Sequence, residues 1–230
     1  MADENSKAKL PRAVLVEFDF TALDGSQILF DAAKERLAEC GIELTPKLEA
    51  LHLVNGNCQG ALAELFNEFG KKHDPAKAAR ELMHLFREKL TAQAVAAVTP
   101  EFKAFVNALT AKGLKVVVAT RADLEAFRPA LADLDANLVS VYSEPSQTYG
   151  NCKWDAWRRA VRANDLHEML TVAVTGSGYG VKAALVAGMS AIAMIHDHVA
   201  YQDFGGADVV ADGFSADLAK DVFRMLHIEA

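Results

Sequence analysis

The chain has 230 residues, of which 51% are hydrophobic and 24% are charged, a composition that is typical of globular proteins and excludes disorder of the whole chain. Its 31 acidic residues outnumber the 24 basic ones and give a net charge of −7, which argues against a nucleic-acid-binding protein because those carry basic surfaces. Three widely spaced cysteines, a polar N-terminus and an apolar stretch no longer than residues 183–195 argue against a disulfide scaffold, a secretory signal and a membrane helix, so we expect a cytoplasmic protein.

The first predicted element is a buried strand at residues 13–18. Its β-branched and aliphatic side chains are typical of a parallel strand that is covered on both faces. Residues 28–97 carry the apolar spacing of helices instead, for example at Leu62, Phe66 and Phe69. Because almost no strand signal interrupts this block, we interpret it as an all-helical insertion.

Strands and helices alternate after the helical block. A helix is predicted to begin at Thr99-Pro100, an N-cap followed by a proline, and to end at Gly113. The alternation predicts a parallel sheet with helices on both faces. We therefore expect a Rossmann-like α/β core made of residues 1–25 and 98–230, with an α-helical cap at residues 26–97. The further strands are predicted at residues 115–119, 138–142, 171–175, 191–195 and 208–211, and the helices between them at residues 124–134, 153–163 and 181–187, with one more at the C-terminus.

Polar side chains follow several of these strands at the point where each strand ends. Ligands of open parallel sheets bind beyond the carboxyl ends of the strands, so we expect these side chains to lie close together. Glu17 belongs to an apolar strand, where an unpaired carboxylate is costly, and it therefore needs a partner. The set comprises Glu17, Asp19 and Thr21 after the first strand, Thr120 and Arg121 after the second, Lys153 near a helix start, and Thr175 with the glycine loop 176–180 after the fourth.

This order of motifs resembles the haloacid dehalogenase superfamily, in particular its branch of phosphoglycolate phosphatases and β-phosphoglucomutase-like proteins. The resemblance implies a sheet core with a helical cap and Mg²⁺-assisted phosphoryl transfer from a small phosphorylated metabolite. It also implies Asp19 as the general acid and base, and Thr120, Arg121 and Lys153 as phosphate-binding residues, although a solvated side chain is an alternative for Arg121. The motifs that carry it are Glu17-Phe-Asp19-Phe-Thr21, Thr120-Arg121, Lys153, and the segment from Thr175 to Met189.

The resemblance also marks a stretch of the cap. Asn55, Asn57 and Gln59 lie where cap residues of the resembling family reach the substrate. Turn and helix-cap chemistry explains these side chains equally well, so both interpretations stay open. Cys58 between them is expected to be inert.

Two departures from the family pattern affect positions that would take part in the reaction. Glu17 stands where the family has its nucleophilic aspartate, and Gly176 stands where it has an acidic Mg²⁺ ligand. Glu17 and Asp19 alone should hold Mg²⁺ weakly, because that ion needs several oxygen ligands, and we expect Glu17 to pair with Lys153. Replacing Glu17 and Gly176 together by aspartate should restore more activity than either single change, provided that the loop tolerates a Cβ atom at position 176.

The leading hypothesis is a catalytically weak or inactive phosphatase-like protein that retains a cleft for phosphate or a phosphorylated metabolite. The alternatives are an active phosphomonoesterase with Glu17 as nucleophile and a non-catalytic protein-binding role, for which no residue identifies a partner. Two weaker patterns stay open as well. Gly176-x-Gly178-x-Gly180 resembles a dinucleotide-binding loop, and His196-Asp-His198 offers two possible metal ligands.

Overall fold

The computed structural model describes residues 10–54, 57–143 and 154–229. In this part of the chain, six parallel strands form one sheet in the order β3-β2-β1-β4-β5-β6. The predicted fold class, a parallel Rossmann-like α/β sheet accompanied by helices, is confirmed. The strands are β1 (Ala13–Glu17), β2 (Lys115–Thr120), β3 (Val139–Ser143), β4 (Thr171–Thr175), β5 (Ser190–Met194) and β6 (Val209–Ala211).

The strand order places β1 and β4, whose carboxyl ends carry polar side chains of the predicted site, at the centre of the sheet. β1 lies between β2 and β4, with Val14 opposite Val116 on one side and Val172 on the other. All five residues of β1 and of β4 are buried, as the apolar run of a central parallel strand predicts. The chain continues from β1 to β2, towards one edge of the sheet, and from β4 to β5, towards the other edge. The carboxyl ends of β1 and β4 therefore flank the topological switch point of the sheet.

Helices fill the chain between β1 and β2 in its described part, and no strand of the sheet comes from it. The first long helix begins at Gly25, slightly earlier than the sequence predicts. Helix α3 continues directly into a π-helical turn, Glu49–Leu53. The boundaries of a separate cap at residues 26–97 stay a prediction. The helices are α1 (Phe18–Thr21, a single turn), α2 (Gly25–Glu39), α3 (Pro46–Leu48), α4 (Cys58–Glu68), α5 (Pro75–Ala94) and α6 (Pro100–Thr110).

Helices also follow the later strands, with short 3₁₀ turns at Arg128–Leu131, Glu168–Leu170 and Asp197–Val199. The predicted helix at residues 124–134 is shorter than expected, because Pro129 has no N–H group and cannot continue an α-helical hydrogen-bond ladder. These helices are α7 (Leu124–Phe127), α8 (Trp154–Ala163), α9 (Gly178–Ala187) and α10 (Ala216–Met225).

Local sequence signals set several helix ends. The Thr99 hydroxyl accepts the Phe102 N–H at 3.2 Å ahead of Pro100, as an N-cap should. Gly113 ends the connection from α6 to β2 with a φ of +73°, which glycine adopts readily. Phe69 does not share the buried stripe of α4. It follows the last residue of that helix and is 40% exposed, so its predicted place in the apolar stripe is wrong.

The two faces of the sheet carry separate hydrophobic clusters. Leu15 and Val117 point into the smaller one, against α8 and α9. Val14 and Val116 point into the larger one, which also contains the buried side chains of α2, α4, α5, α6 and α10. The helical segment between β1 and β2 therefore shares a continuous core with the sheet. In the described part of the chain, no helix is long and apolar enough to cross a membrane.

Candidate active site at the carboxyl edge of the sheet

Glu17 is the last residue of β1 and lies at the switch point of the sheet. Because Val16 and Val174 are partners across the strand pair, the next residue of each strand brings Glu17 beside Thr175. The Thr175 hydroxyl donates a hydrogen bond of 2.5 Å to Oε2 of Glu17, whose residue is only 2% exposed. A hydrogen bond to a carboxylate is stronger than one between neutral groups, so it holds one oxygen of Glu17 towards β4.

Asp19 is held by the end of β2. Its carboxylate is fully buried and accepts hydrogen bonds from the Thr120 hydroxyl at 2.5 Å and from the Arg121 backbone N–H at 2.8 Å. The Arg121 guanidinium adds a contact of 3.4 Å. Burial raises the pKa of Asp19, while the charge of Arg121 and the hydrogen bonds oppose that shift.

Arg121 is part of the interior of the protein. It is 4% exposed, and its guanidinium lies 5.4 Å from the centre of the Phe20 ring, within the range of a cation–π contact. The solvated alternative for this side chain is therefore wrong. The anion that Arg121 and Thr120 contact here is the carboxylate of Asp19, a group of the chain itself.

Gly176 follows Thr175 and lies directly against the turn that follows β1. A Cβ atom on Gly176 would lie 1.6 Å from the carbonyl oxygen of Phe20 and 2.5 Å from its carbonyl carbon. Gly176 is not among the glycines with a positive φ, so the restriction is one of space. No carboxylate side chain can be added here without moving the backbone. The proviso attached to the double aspartate replacement is therefore not met, and the rescue itself stays a prediction.

The residues present do not fit a Mg²⁺ ion. One oxygen of Glu17 is bound to Thr175, both oxygens of Asp19 are bound to Thr120 or Arg121, and position 176 has no room for a third acid. No group of three or more histidine, cysteine, aspartate or glutamate side chains that could hold a metal ion occurs within residues 10–54, 57–143 and 154–229. Mg²⁺ is usually held by one or two carboxylates together with waters. At least three of the four carboxylate oxygens of Glu17 and Asp19 already accept hydrogen bonds, so these described residues fit the ion poorly.

The glycine loop at the start of α9 packs closely against Asp203 and Thr175. A Cβ atom on Gly178 would lie 2.2 Å from the carbonyl oxygen of Asp203, and one on Gly180 would lie 1.9 Å from Oγ1 of Thr175. The N–H of Gly178 donates to Gln202, and the N–H of Gly180 donates to the side chain of Ser177. Packing and helix capping explain these glycines without a dinucleotide.

Two of the cap residues expected near a substrate are described. The Asn57 side chain caps α4 by accepting the Gly60 N–H at 2.7 Å, and Gln59 is exposed on that helix. Burial raises the pKa of the neighbouring Cys58 to about 12, which agrees with an inert thiol. Asn55 lies outside the described residues.

Lys153 also lies outside the described residues, so its expected pairing with Glu17 stays a prediction. His198, which the sequence offers as a possible metal ligand, contacts Glu49 instead, with 3.0 Å between Nε2 and Oε2. Within residues 10–54, 57–143 and 154–229 it belongs to no group of three or more histidine, cysteine, aspartate or glutamate side chains that could hold a metal ion. Local sequence patterns predict neither the contact between His198 and Glu49 nor the packing of Arg121 on the Phe20 ring, because each contact joins residues that are far apart in the sequence.

A cavity of about 230 Å³ adjoins the start of α9. Ala50 and Val54 line it from the π-helical turn and its end, and Tyr179 and Lys182 line it from α9. Gln202 closes it from the loop after β5. Lys182 pairs with Asp203 at 2.8 Å, so the polar side of this cavity carries both signs of charge.

The chain was compared with models of protein families and with solved structures. A model of haloacid dehalogenase-like hydrolases matches residues 14–194. CbbY from Rhodobacter sphaeroides in complex with phosphate has a similar structure, with 20% identity, 90% of this chain and 96% of that chain covered, and a TM-score of 0.63. A β-phosphoglucomutase from Clostridium difficile is 12% identical, with 94% and 98% covered and a TM-score of 0.67. A phosphonoacetaldehyde hydrolase-like protein from Oleispira antarctica is 19% identical, with 100% and 99% covered and a TM-score of 0.65.

These identities are low, so the structural likenesses support a shared fold and do not transfer an activity. A search of curated protein sequences found no significant match.

Proposed function

Because the chain belongs to the haloacid dehalogenase-like hydrolase family, we propose that it is a member whose Mg²⁺-assisted phosphomonoesterase activity is weak or lost. In this proposal the protein binds phosphate or a small phosphorylated metabolite between its helical segment and the carboxyl edge of the sheet. The cysteine pattern favours a cytoplasmic location.

The contact between Gly176 and the Phe20 carbonyl carries the catalytic part of the proposal. Metal-assisted phosphoryl transfer needs carboxylates that hold the ion, and the ion neutralises the phosphate. Here the turn after β1 fills the place beside Thr175 that another carboxylate would need. Glu17 also carries one more methylene than aspartate, and a displacement of about 1 Å at a reacting group can cost about 10²-fold in rate.

The ligand part of the proposal rests on the cavity beside α9. Lys182 supplies a cation, for which phosphate would compete with the paired carboxylate of Asp203. The start of a helix also favours an anion. The structure of CbbY from Rhodobacter sphaeroides was determined in complex with phosphate, which is the probe we choose. Inorganic phosphate should raise the melting temperature of the parent protein, and Lys182→Ala should reduce that rise. Lys220→Ala, a change of an exposed lysine on α10, is the matched control and should leave the rise unchanged. Equal rises in all three proteins, or none, would contradict the ligand part.

Phosphate release tests the catalytic part. The parent and Glu17→Gln are compared on a broad panel of phosphomonoesters with millimolar Mg²⁺, and calorimetry measures Mg²⁺ binding. We expect equal background rates and no micromolar affinity for Mg²⁺. Release that disappears in Glu17→Gln and on chelation of the metal would show an active enzyme with Glu17 as nucleophile.

A further inference from the structure

A buried ion pair joins the helical segment to the loop that follows β5. Glu49 is the first residue of the π-helical turn and is 3% exposed. His198 lies in the 3₁₀ turn Asp197–Val199, and its side chain is 12% exposed. Nε2 of His198 lies 3.0 Å from Oε2 of Glu49, across 149 positions of the sequence. The pair is therefore a long-range connection between two turns.

The surroundings of His198 favour its protonated form. Its hydrogen bond to Glu49 raises its pKa most, against the opposing effect of burial. The charges of Glu49, of Asp24 at the N-cap of α2 and of Asp31 within that helix raise it further. The Phe30 ring packs against the imidazole with 5.3 Å between ring centres. Tyr201 is the further titratable group of this neighbourhood, and burial and the charge of Glu49 raise its pKa, so it stays neutral.

The ion pair borders the cavity beside α9. Glu49 directly precedes Ala50, which lines the cavity from the π-helical turn. Tyr201 and Gln202, which follow His198 on the same loop, line the cavity from the other side. The Glu49–His198 pair thus joins the two segments that line this cavity from opposite sides. A π-helical turn is a rare element that is often found at functional sites, and here it carries one of the two charges.

We propose that Glu49 and His198 form a proton-controlled latch, which holds the π-helical turn Glu49–Leu53 against the loop after β5 most strongly while His198 is protonated and loosens when His198 loses its proton. This device is separate from catalysis. It borders the cavity to which the proposed function assigns phosphate, and its test therefore uses the protein without phosphate.

The direction of the pH dependence follows from linkage. The pKa of His198 is raised in the latched form above the value of about 6.5 for a free histidine. The latch is therefore fully effective below that ordinary value and weakens as the pH rises through the pKa of the latched form. Each unit of difference between the two pKa values changes the opening equilibrium about tenfold.

Hydrogen exchange on the full chain tests the latch. Protection factors of the amides of residues 49–54, corrected for intrinsic exchange, should be highest below about pH 6.5. They should fall as the pH rises, by about tenfold for each unit of the pKa difference. Glu49→Gln and His198→Gln should show low protection of this turn with little dependence on pH. The amides of β1 report on global folding and should stay protected in every protein.

His84→Gln is the matched control. His84 is an exposed histidine on α5 that pairs with Glu88 at 3.5 Å, so this variant should keep the pH profile of the parent. NMR titration of the His198 imidazole in the parent gives a measurement that does not depend on the folding of any variant. A titration at or below the ordinary histidine value would overturn the latch, and so would protection of residues 49–54 that is constant across the titration or falls equally in Glu49→Gln.

Discussion

At position 176 the contact with the Phe20 carbonyl oxygen, 1.6 Å from an added Cβ, leaves no room for any side chain. The turn after β1 and the start of the β4–α9 loop therefore depend on each other. An aspartate here would have to displace the backbone that positions Asp19. The position at which the resemblance implies an acidic Mg²⁺ ligand is thus a packing position in this chain.

We predict that Gly176→Ala destabilises the protein by about 1–3 kcal/mol and that Gly176→Asp costs at least as much, because both overpack a backbone contact. Urea unfolding measures the loss. Gly213→Ala is the matched control, since nothing lies within 4 Å of an added Cβ there, and its effect should stay within about 0.5 kcal/mol. A Gly176→Asp protein that is as stable as the parent and binds Mg²⁺ tightly would contradict the packing argument and favour the enzyme hypothesis.

Asp19 gives a second prediction at this scale. Asp19→Asn should destabilise the protein by about 1.5–3 kcal/mol, because it removes the charged acceptor of buried hydrogen bonds from Thr120 and Arg121. Denaturant unfolding at neutral pH measures the change. Asp217→Asn removes the same charge from an exposed pair with Lys220 and should leave the unfolding midpoint unchanged. Equal midpoints for Asp19→Asn and the parent would show that the buried pair is dispensable.

For the residues of the candidate site, the sequence predicts where each residue lies better than it predicts which group each side chain contacts. The rule that parallel strands carry function at their carboxyl ends brings Glu17, Asp19 and Thr120 to one edge, and the structure places them there. The choice of Thr175 as a partner of Glu17, and of Asp19 as the anion of Arg121, depends on side-chain packing across more than 100 positions. No local pattern contains that information.

Among the elements, those with a cap and a clear period were the easiest to predict. The start of α6 was readable from Thr99-Pro100, and the alternation after it gave the strands of the sheet to within a few residues. The π-helical turn was not predictable, because its apolar spacing does not differ from that of an α-helix over a single turn. The apolar spacing over residues 124–134 overestimates the length of α7, because Pro129 lies in a 3₁₀ turn and the α-helix ends before it.

The cap of α6 can be tested by itself. Thr99→Ala removes the acceptor of the Phe102 N–H and should cost about 1 kcal/mol of stability. Thermal or urea unfolding measures this loss. Thr110→Ala at the other end of the same helix removes a hydroxyl that donates to the Asn107 carbonyl, and its cost should be within about 0.5 kcal/mol. If both variants lose the same stability, the cap does not define the start of α6.

At the scale of the whole molecule, the helical segment and the sheet act as one body. Phe86 on α5 is fully buried, and its ring lies 6.2 Å from the ring of Phe20, which belongs to the turn after β1. Phe18, in the same turn, packs against Phe102 of α6 and Phe127 of α7 at ring distances of 5.3 and 4.7 Å. The segment inserted between β1 and β2 therefore shares its aromatic core with the elements on both sides.

We therefore predict that the helical segment and the sheet unfold together, although the sequence suggests two units. Calorimetry should give one transition whose calorimetric and van't Hoff enthalpies agree. Phe86→Ala should lower the stability of the whole transition by about 3–5 kcal/mol without splitting it, because the lost contacts belong to both parts. Phe69→Ala is the matched control, since Phe69 is 40% exposed and its removal should cost far less. Two transitions in the parent, or a Phe86→Ala protein in which the helical segment melts before an unchanged sheet, would instead establish a cap that folds on its own.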